Sequence, residues 1–407
     1  MNTPEDNLQG REEGTDERRF TGSTSSQKDD KGEPAQLFFG GNRYSNSGPL
    51  AKRHFDAEFV AEQRVHRTVL PDLERKFEAI LTGRKWQRLP ELGPGIPYPG
   101  IEEWVTLQIS SGQGVKFYPC FIQDRQGTTR FLKVQVTQKN GRFGMETDRI
   151  IAKEARILRT GLLPVRTPAY VDHGEGGETT LAFLCVEAIG MKEGQVLPGL
   201  KWSSDACKSA AAQIRSLEDL PLQRLETLLT KEERQGVGSA ANIADLLERA
   251  GSYLAADLRA EILTLVEEVA LPNVFIHGDL TLNNIIVCAN RGTEFVDWET
   301  AGVSSLGRDA SKLLAGLSEN PAARDAFVRA YVMKDNELPD QQRLRGLYLG
   351  KIEENLNHLV WRVERMTAAL ESKYPGIRSQ IVEFHSNIRR DLNEYHDQRV
   401  TYSGARV

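Results

Sequence analysis

The chain has no apolar run of the roughly 18 residues that a membrane span requires. Its N-terminus is polar and lacks the apolar core of a secretory signal. Cysteine is scarce: Cys120, Cys185, Cys207 and Cys288 lie far apart with no CxxC pair. That spacing points away from a disulfide framework or a zinc ribbon and toward small buried thiols in a reducing compartment. Neither sign of charge dominates. Lysine and arginine number 52 and aspartate and glutamate 57, a net charge of −5, so nothing pulls the whole chain toward nucleic acid or an anionic membrane. A cytoplasmic protein with no nucleic-acid or membrane partner is expected.

What is present is a globular composition, 39% hydrophobic and 27% charged over 407 residues, enough for two or three domains. Residues 1–50 are rich in Gly, Ser, Asn and charged side chains. They cannot bury enough surface to offset ordering entropy, so a disordered tail is expected, broken only by the apolar pair Phe38-Phe39. Residues 51–103 read as a helical extension and linker. Phe55, Phe59, His66, Val69, Leu73, Phe77 and Ile80 recur at helical steps, Pro71 splits the run, and Gly83 closes it. This extension is expected to pack on the next domain or to meet a protein partner. Four prolines and three glycines between residues 90 and 100 mark the linker.

From Trp104 the period becomes strand-like. Two strands flank Ser110-Ser111-Gly112-Gln113-Gly114, and Gly112 and Gly114 would let backbone N–H groups approach phosphates closely. A hairpin turn at 124–127 leads into Arg130 to Val136, where Lys133 sits in an apolar strand and needs an anionic partner. A helix is expected from Glu146 to Thr160, offering Glu146 and Glu154 as partners, and spacing alone does not choose between them. Strands to about Val171 and from Thr180 to Glu187 follow. From about 203 the chain turns mainly helical. Ser203 or Ser204 caps the first helix, and further helices are expected at 242–250, 252–270, 309–317, 321–332, 341–370 and 376–396, with the last ~10 residues frayed.

The most informative stretch is Phe275-Ile276-His277-Gly278-Asp279-Leu280-Thr281-Leu282-Asn283-Asn284, followed by the apolar Ile285-Ile286-Val287. Ten residues after Asn284 begins Glu294-Phe295-Val296-Asp297-Trp298-Glu299. Asp279, Asn284 and Asp297 therefore sit at strand ends and the loop beside them. Phosphoryl transfer asks for this set: a carboxylate to orient and deprotonate a hydroxyl, and oxygen ligands for Mg2+ on the phosphates.

His277-x-Asp279-x-x-x-x-Asn284 with Asp297-Trp298-Glu299 resembles the aminoglycoside phosphotransferase and choline kinase family, whose fold is similar to that of protein kinases. The resemblance covers about 104–335. It implies an α+β, two-lobed fold: a small antiparallel sheet lobe (104–190) and a larger, mainly helical lobe (191–400), with nucleotide between them. It implies Asp279 as catalytic base, and Asn284 and Asp297 as Mg2+ ligands. Lys133, paired with Glu154, would hold the nucleotide phosphates under the Gly112–Gly114 loop, and Glu187 and Ala188 would form the hinge beside the base. ATP is the expected donor, with GTP open. His277 and Asp309 are expected to brace the loop, and Glu299 to stand by or support it from behind.

The acceptor is expected to be a hydroxyl of a sugar, an aminoglycoside or a choline-like metabolite. An atypical protein kinase is the alternative, and a nucleotide-binding scaffold the second. Asp-Trp-Glu in place of Asp-Phe-Gly, and Thr281 rather than a lysine two residues after Asp279, favour the small-molecule reading over the protein kinase.

Overall fold

The computed structural model describes residues 72–93, 96–97, 100–101, 117–136, 148–176, 181–189, 194–234, 239–268, 270–289, 292–333, 340–365 and 376–403. All of them belong to the unit spanning Phe39–Val407. The expected tail, the helix before Pro71, Gly112, Gly114 and Glu146 lie outside these residues.

The small lobe is a five-stranded antiparallel sheet. Helix α1 (72–84) precedes its edge strand β1 (Gln87–Arg88). Strands β2 (Phe117–Gln123) and β3 (Thr129–Gln135) form a hairpin, helix α2 (Asp148–Thr160) follows, and β4 (Tyr170–Gly174) and β5 (Phe183–Glu187) complete the sheet in the order β1-β2-β3-β5-β4. The hairpin turn is set locally: Asp124 Oδ1 accepts the N–H groups of Gln126 and Thr128, each at 2.9 Å, and Gly127 supplies a φ of +77°.

Period-2 alternation then decides which side chain meets which layer. Leu132 and Val134 join Tyr118, Cys120, Ile122, Phe183 and Cys185 in a core closed by Leu73, Phe77, Ile80 and Leu81 of α1. The Phe77 and Tyr118 rings meet edge-on at 5.4 Å. Residues 72–88, assigned from sequence to a helical extension, thus share the core of the sheet lobe, and Gln87 and Arg88 pair with Gln123 and Ile122. Lys133 points to the opposite face, toward Phe117 and the larger lobe.

The larger lobe contains α3 (Ser204–Glu218), α4 (Leu222–Leu228), α5 (Ser239–Ala250), α6 (Ala256–Glu267), α7 (Arg308–Gly316), α8 (Pro321–Val332), α9 (Gln341–Arg365) and α10 (Ile377–Ser403). Ser203 caps α3 through Ala206 N–H at 3.2 Å. Asn320 caps α8 at Ala323 N–H while its amide holds the carbonyls of Gly199, Leu200 and Trp202. Cross-links from Lys351 to Asp391 and from Arg362 to Gln380 show that α9 and α10 run antiparallel. Where fraying was expected over the last ~10 residues of the chain, α10 continues as far as Ser403, helped by ties such as Arg399 to Glu268 at 3.1 Å.

Two small ladders pack against α3 of the larger lobe. Strand β7 (Asn273–Ile276) pairs with β10 (Gly302–Ser305), and β8 (Ile285–Cys288) pairs with β9 (Gly292–Phe295), with the two-residue β6 (Gly194–Gln195) beside β8. The registers Ile276↔Gly302 and Ile285↔Phe295 force the loops 277–284 and 296–301 to lie side by side. That nesting positions the site.

Candidate active site

The loop after β7 is held from below. Asp309, near the start of α7, accepts the N–H groups of His277 at 2.6 Å and Gly278 at 2.9 Å. Burial raises the Asp309 carboxyl above its ordinary range, against the pull of His277. His277 is fully buried, and its Nε2 bonds the Val296 carbonyl at 2.9 Å. A carbonyl can only accept, so Nε2 carries the proton, and Nδ1 is left to accept Asp279 N–H at 3.4 Å. Burial lowers the His277 pKa, consistent with a neutral brace between the two loops. Gly278 has a φ of +86°, and a Cβ there would stand 2.4 Å from the Thr300 carbonyl oxygen, so only glycine fits.

Asp279 is gripped on both carboxylate oxygens. Asn284 Nδ2 donates to Oδ2 at 3.1 Å and to the Asp279 carbonyl at 2.7 Å. Lys312 of α7 approaches Oδ1 at 3.2 Å and donates to the Gly278 carbonyl at 2.6 Å. Across the ladder, Val296 N–H donates to the Asn284 carbonyl at 3.0 Å, which sets Asn284 beside the backbone that carries Asp297. Asp297 itself has a left-handed backbone, φ 68° and ψ 65°, a conformation aspartate tolerates better than most residues.

Lys133 ties the lobes together. Its Nζ lies 2.9 Å from Glu154, 2.5 Å from Asp297 and 3.3 Å from Glu299, and 4.3 Å from the Phe117 ring centroid. Burial disfavours the ammonium, but Asp297, Glu154 and Glu299 outweigh it and raise its pKa above that of an ordinary lysine. Burial raises the Glu154 carboxyl, opposed by Lys133. The other oxygen of Glu154 accepts Trp298 N–H at 3.0 Å, so α2 grips both the small-lobe lysine and the backbone after Asp297. Of the two glutamates open on sequence grounds, Glu154 is at ion-pair distance. At the end of β5, Glu187 N–H donates to the Ala169 carbonyl at 2.8 Å, and Glu187 and Ala188 are both half-buried.

Sequence reasoning missed Lys312. The available signal was Asp309-x-x-Lys312, an i, i+3 pair that shares one helix face, so a helix placing Asp309 under the loop also brings Lys312 to it. It also left open how close Glu299 lies to Lys133. No helix among the described residues is long and apolar enough to cross a membrane.

No curated protein matches the chain. Among solved structures, the chain is similar to a choline/ethanolamine kinase family protein from Mesorhizobium loti: 16% identity, 69% of this chain and 86% of that one, TM-score 0.45. A macrolide 2'-phosphotransferase from Brachybacterium faecium matches at 16% identity over 69% of this chain and 89% of that one, TM-score 0.44. The GDP complex of aminoglycoside 2'-phosphotransferase-IIIa matches at 14% identity over 73% and 98%, TM-score 0.42. The family described as "Phosphotransferase enzyme family" matches residues 127–347, more than half of the chain and a span that runs from the β2–β3 turn through the loop of Asp279 to α9. The chain belongs to the phosphotransferase enzyme family.

Proposed function

We propose that this protein transfers the γ-phosphoryl group of ATP, with GTP as the alternative donor, to a hydroxyl of a small molecule of the sugar, aminoglycoside or choline-like kind. The observation that carries the reading is the junction of three groups of different chemistry. Asp279 is held by its carboxylate oxygens, Asn284 is bonded to it, and Lys133 reaches across from the sheet to Glu154 and Asp297. Asp279 orients the acceptor hydroxyl and takes its proton. Lys133, fixed by Glu154, meets the α and β phosphates.

The donor set fits Mg2+. Asp297 and Asn284 offer hard oxygen donors, and the Val296-to-Asn284 bond keeps them on neighbouring backbone. Because Nδ2 of Asn284 serves Asp279, its Oδ1 is the ligand atom. Asp297 and Asn284 would hold the ion, which would supply positive charge to offset that of the phosphates. The rest of the work is positioning by the chain itself: Asp309 and His277 fix the loop, and Gly278 allows it to pass under Thr300. Gly112 and Gly114 are assigned to closing over the phosphates, and the backbone at Glu187 and Ala188 to the edge of the base.

The test is a phosphorylation screen with γ-labelled ATP and GTP over hydroxylated metabolites, aminoglycosides and peptides, with Asp279→Asn in parallel. The wild type should label a small hydroxylated acceptor, and Asp279→Asn should lose ~10²–10⁴ of the turnover while still binding Mg2+-nucleotide. Label on peptides alone would favour the protein-kinase alternative. Equal turnover in both forms would remove Asp279 from the chemistry.

A further inference from the structure

In the reading above Lys312 serves only to hold Asp279 and the Gly278 carbonyl, yet its ammonium stands against the reacting group. Asp309 and Lys312 lie one turn apart on α7 and both face the loop 277–284. That loop carries no lysine or arginine of its own. Among the described residues, the cation at ion-pair distance from Asp279 is Lys312 of α7, and its side chain remains 24% exposed, so it is not sealed in the core. An anchor for the Gly278 carbonyl would need only a neutral donor. An ammonium beside the base also competes for the lone pairs that must accept the acceptor's proton, a cost that a neutral donor holding Asp279 would lessen.

We propose that Lys312 is a further catalytic residue, which contacts the transferring phosphoryl group and stabilises it in transit. This rests on the phosphotransferase reading of the site. Among the described residues, two of the three N–H donors of the ammonium are directed to the Gly278 carbonyl and to Asp279 Oδ1, and the third is available to a phosphoryl oxygen. As the acceptor oxygen bonds to phosphorus, its proton passes to Asp279. The bond from phosphorus to the β–γ bridging oxygen breaks, and its electron pair stays on ADP. Asp279 then becomes neutral and releases its hold on Lys312 just when the phosphoryl oxygens need a cation. The ammonium keeps its own proton throughout. Its interaction with the phosphoryl group is thus stronger in the transition state than before it, which is what lowers a barrier.

The test does not require the acceptor to be known. Calorimetry on the full chain gives the affinity for Mg2+-ADP with and without aluminium fluoride, which with ADP occupies the place of the phosphoryl group in transfer. The wild type should bind ADP more tightly when fluoride is present. Lys312→Met and Lys312→Gln should lose at least ~10-fold of that tightening while their affinity for Mg2+-ADP alone stays within about twofold, and Lys312→Arg should keep most of it. If Lys312→Gln tightens as the wild type does, a neutral donor suffices and the proposal is overturned. If Lys312→Met fails to fold, the Gln and Arg variants decide by the same criterion. A wild type that binds neither Mg2+-ADP nor Mg2+-GDP, or binds them with no tightening, would defeat the phosphotransferase reading and this inference with it. A failure of the Gln variant to differ would defeat this inference alone.

Discussion

Among the described residues, two clusters gather three carboxylates round one side-chain cation, and they differ in what water reaches. Around Arg343 stand Glu218, Asp219 and Asp340, but only Glu218 is sealed in; the side chains of Asp219 and Asp340 are 64% and 41% exposed. Glu218 is also satisfied by Tyr331 and by Gly307 N–H at 3.0 Å. Around Lys133 stand Glu154, Asp297 and Glu299, with side-chain exposures of 4%, 21% and 8%. Two of the carboxylates at Arg343 are therefore screened by solvent, whereas those at Lys133 share one ammonium with little water between them. A structural cluster lets its excess charge face water. On the function proposed above, the Lys133 cluster keeps it, where a cation and a phosphate chain would use it.

The largest effect expected from this contrast is on stability. Arg343→Met leaves Glu218 buried without its cation and should lower unfolding free energy by about 3–5 kcal/mol in urea titrations, with no change in nucleotide affinity for the folded fraction. Lys133→Met leaves Glu154 and Glu299 without their cation where less water screens them, so it should cost at least as much stability, and it should also weaken Mg2+-nucleotide binding by more than ~10-fold, as loss of a charge-assisted phosphate contact does. If both variants lost stability equally and bound nucleotide normally, the two clusters would be of one kind.

A smaller effect concerns pH. Burial pushes the Glu218 carboxyl up to about 7, against the pull of Arg343. The folded protein then holds a proton that the unfolded chain has released, so this group's contribution is full below the ordinary carboxylate range and is lost as pH rises through about 7. The wild type should therefore lose up to about 3 kcal/mol relative to Glu218→Gln between pH 4.5 and 8, read as a falling difference in Tm. A difference independent of pH would mean that Arg343 keeps Glu218 ionised throughout.

Much of this was legible in the sequence where chemistry is local. The strand-loop-strand run from Phe275 to Val287 and the Asp-Trp-Glu after it carry their own turn and strand signals, and the two-lobed fold was implied by the family resemblance those residues carry. What was not legible depends on distant pairing. Nothing near Gln87 announces that it will pair with Gln123, so residues 72–88 read as an extension and not as part of the sheet lobe. The four-residue β10 gains its partner only from β7, and α4 is too short for its period to show. Lys312 joined the site only once α7 was laid under the loop.

The central claim is that the anion-rich cluster at Lys133 is arranged for a Mg2+-bound nucleotide with Asp297 as ligand. The direct measurement is ATP affinity as a function of Mg2+ concentration in the wild type and in Asp297→Asn, a substitution that keeps the size and tolerates the left-handed backbone at this position. The account predicts that Mg2+ tightens ATP binding to the wild type and tightens it at least ~10-fold less in the variant, the loss of one charged ligand at a hard-cation site. The same Mg2+ dependence in both proteins would contradict it.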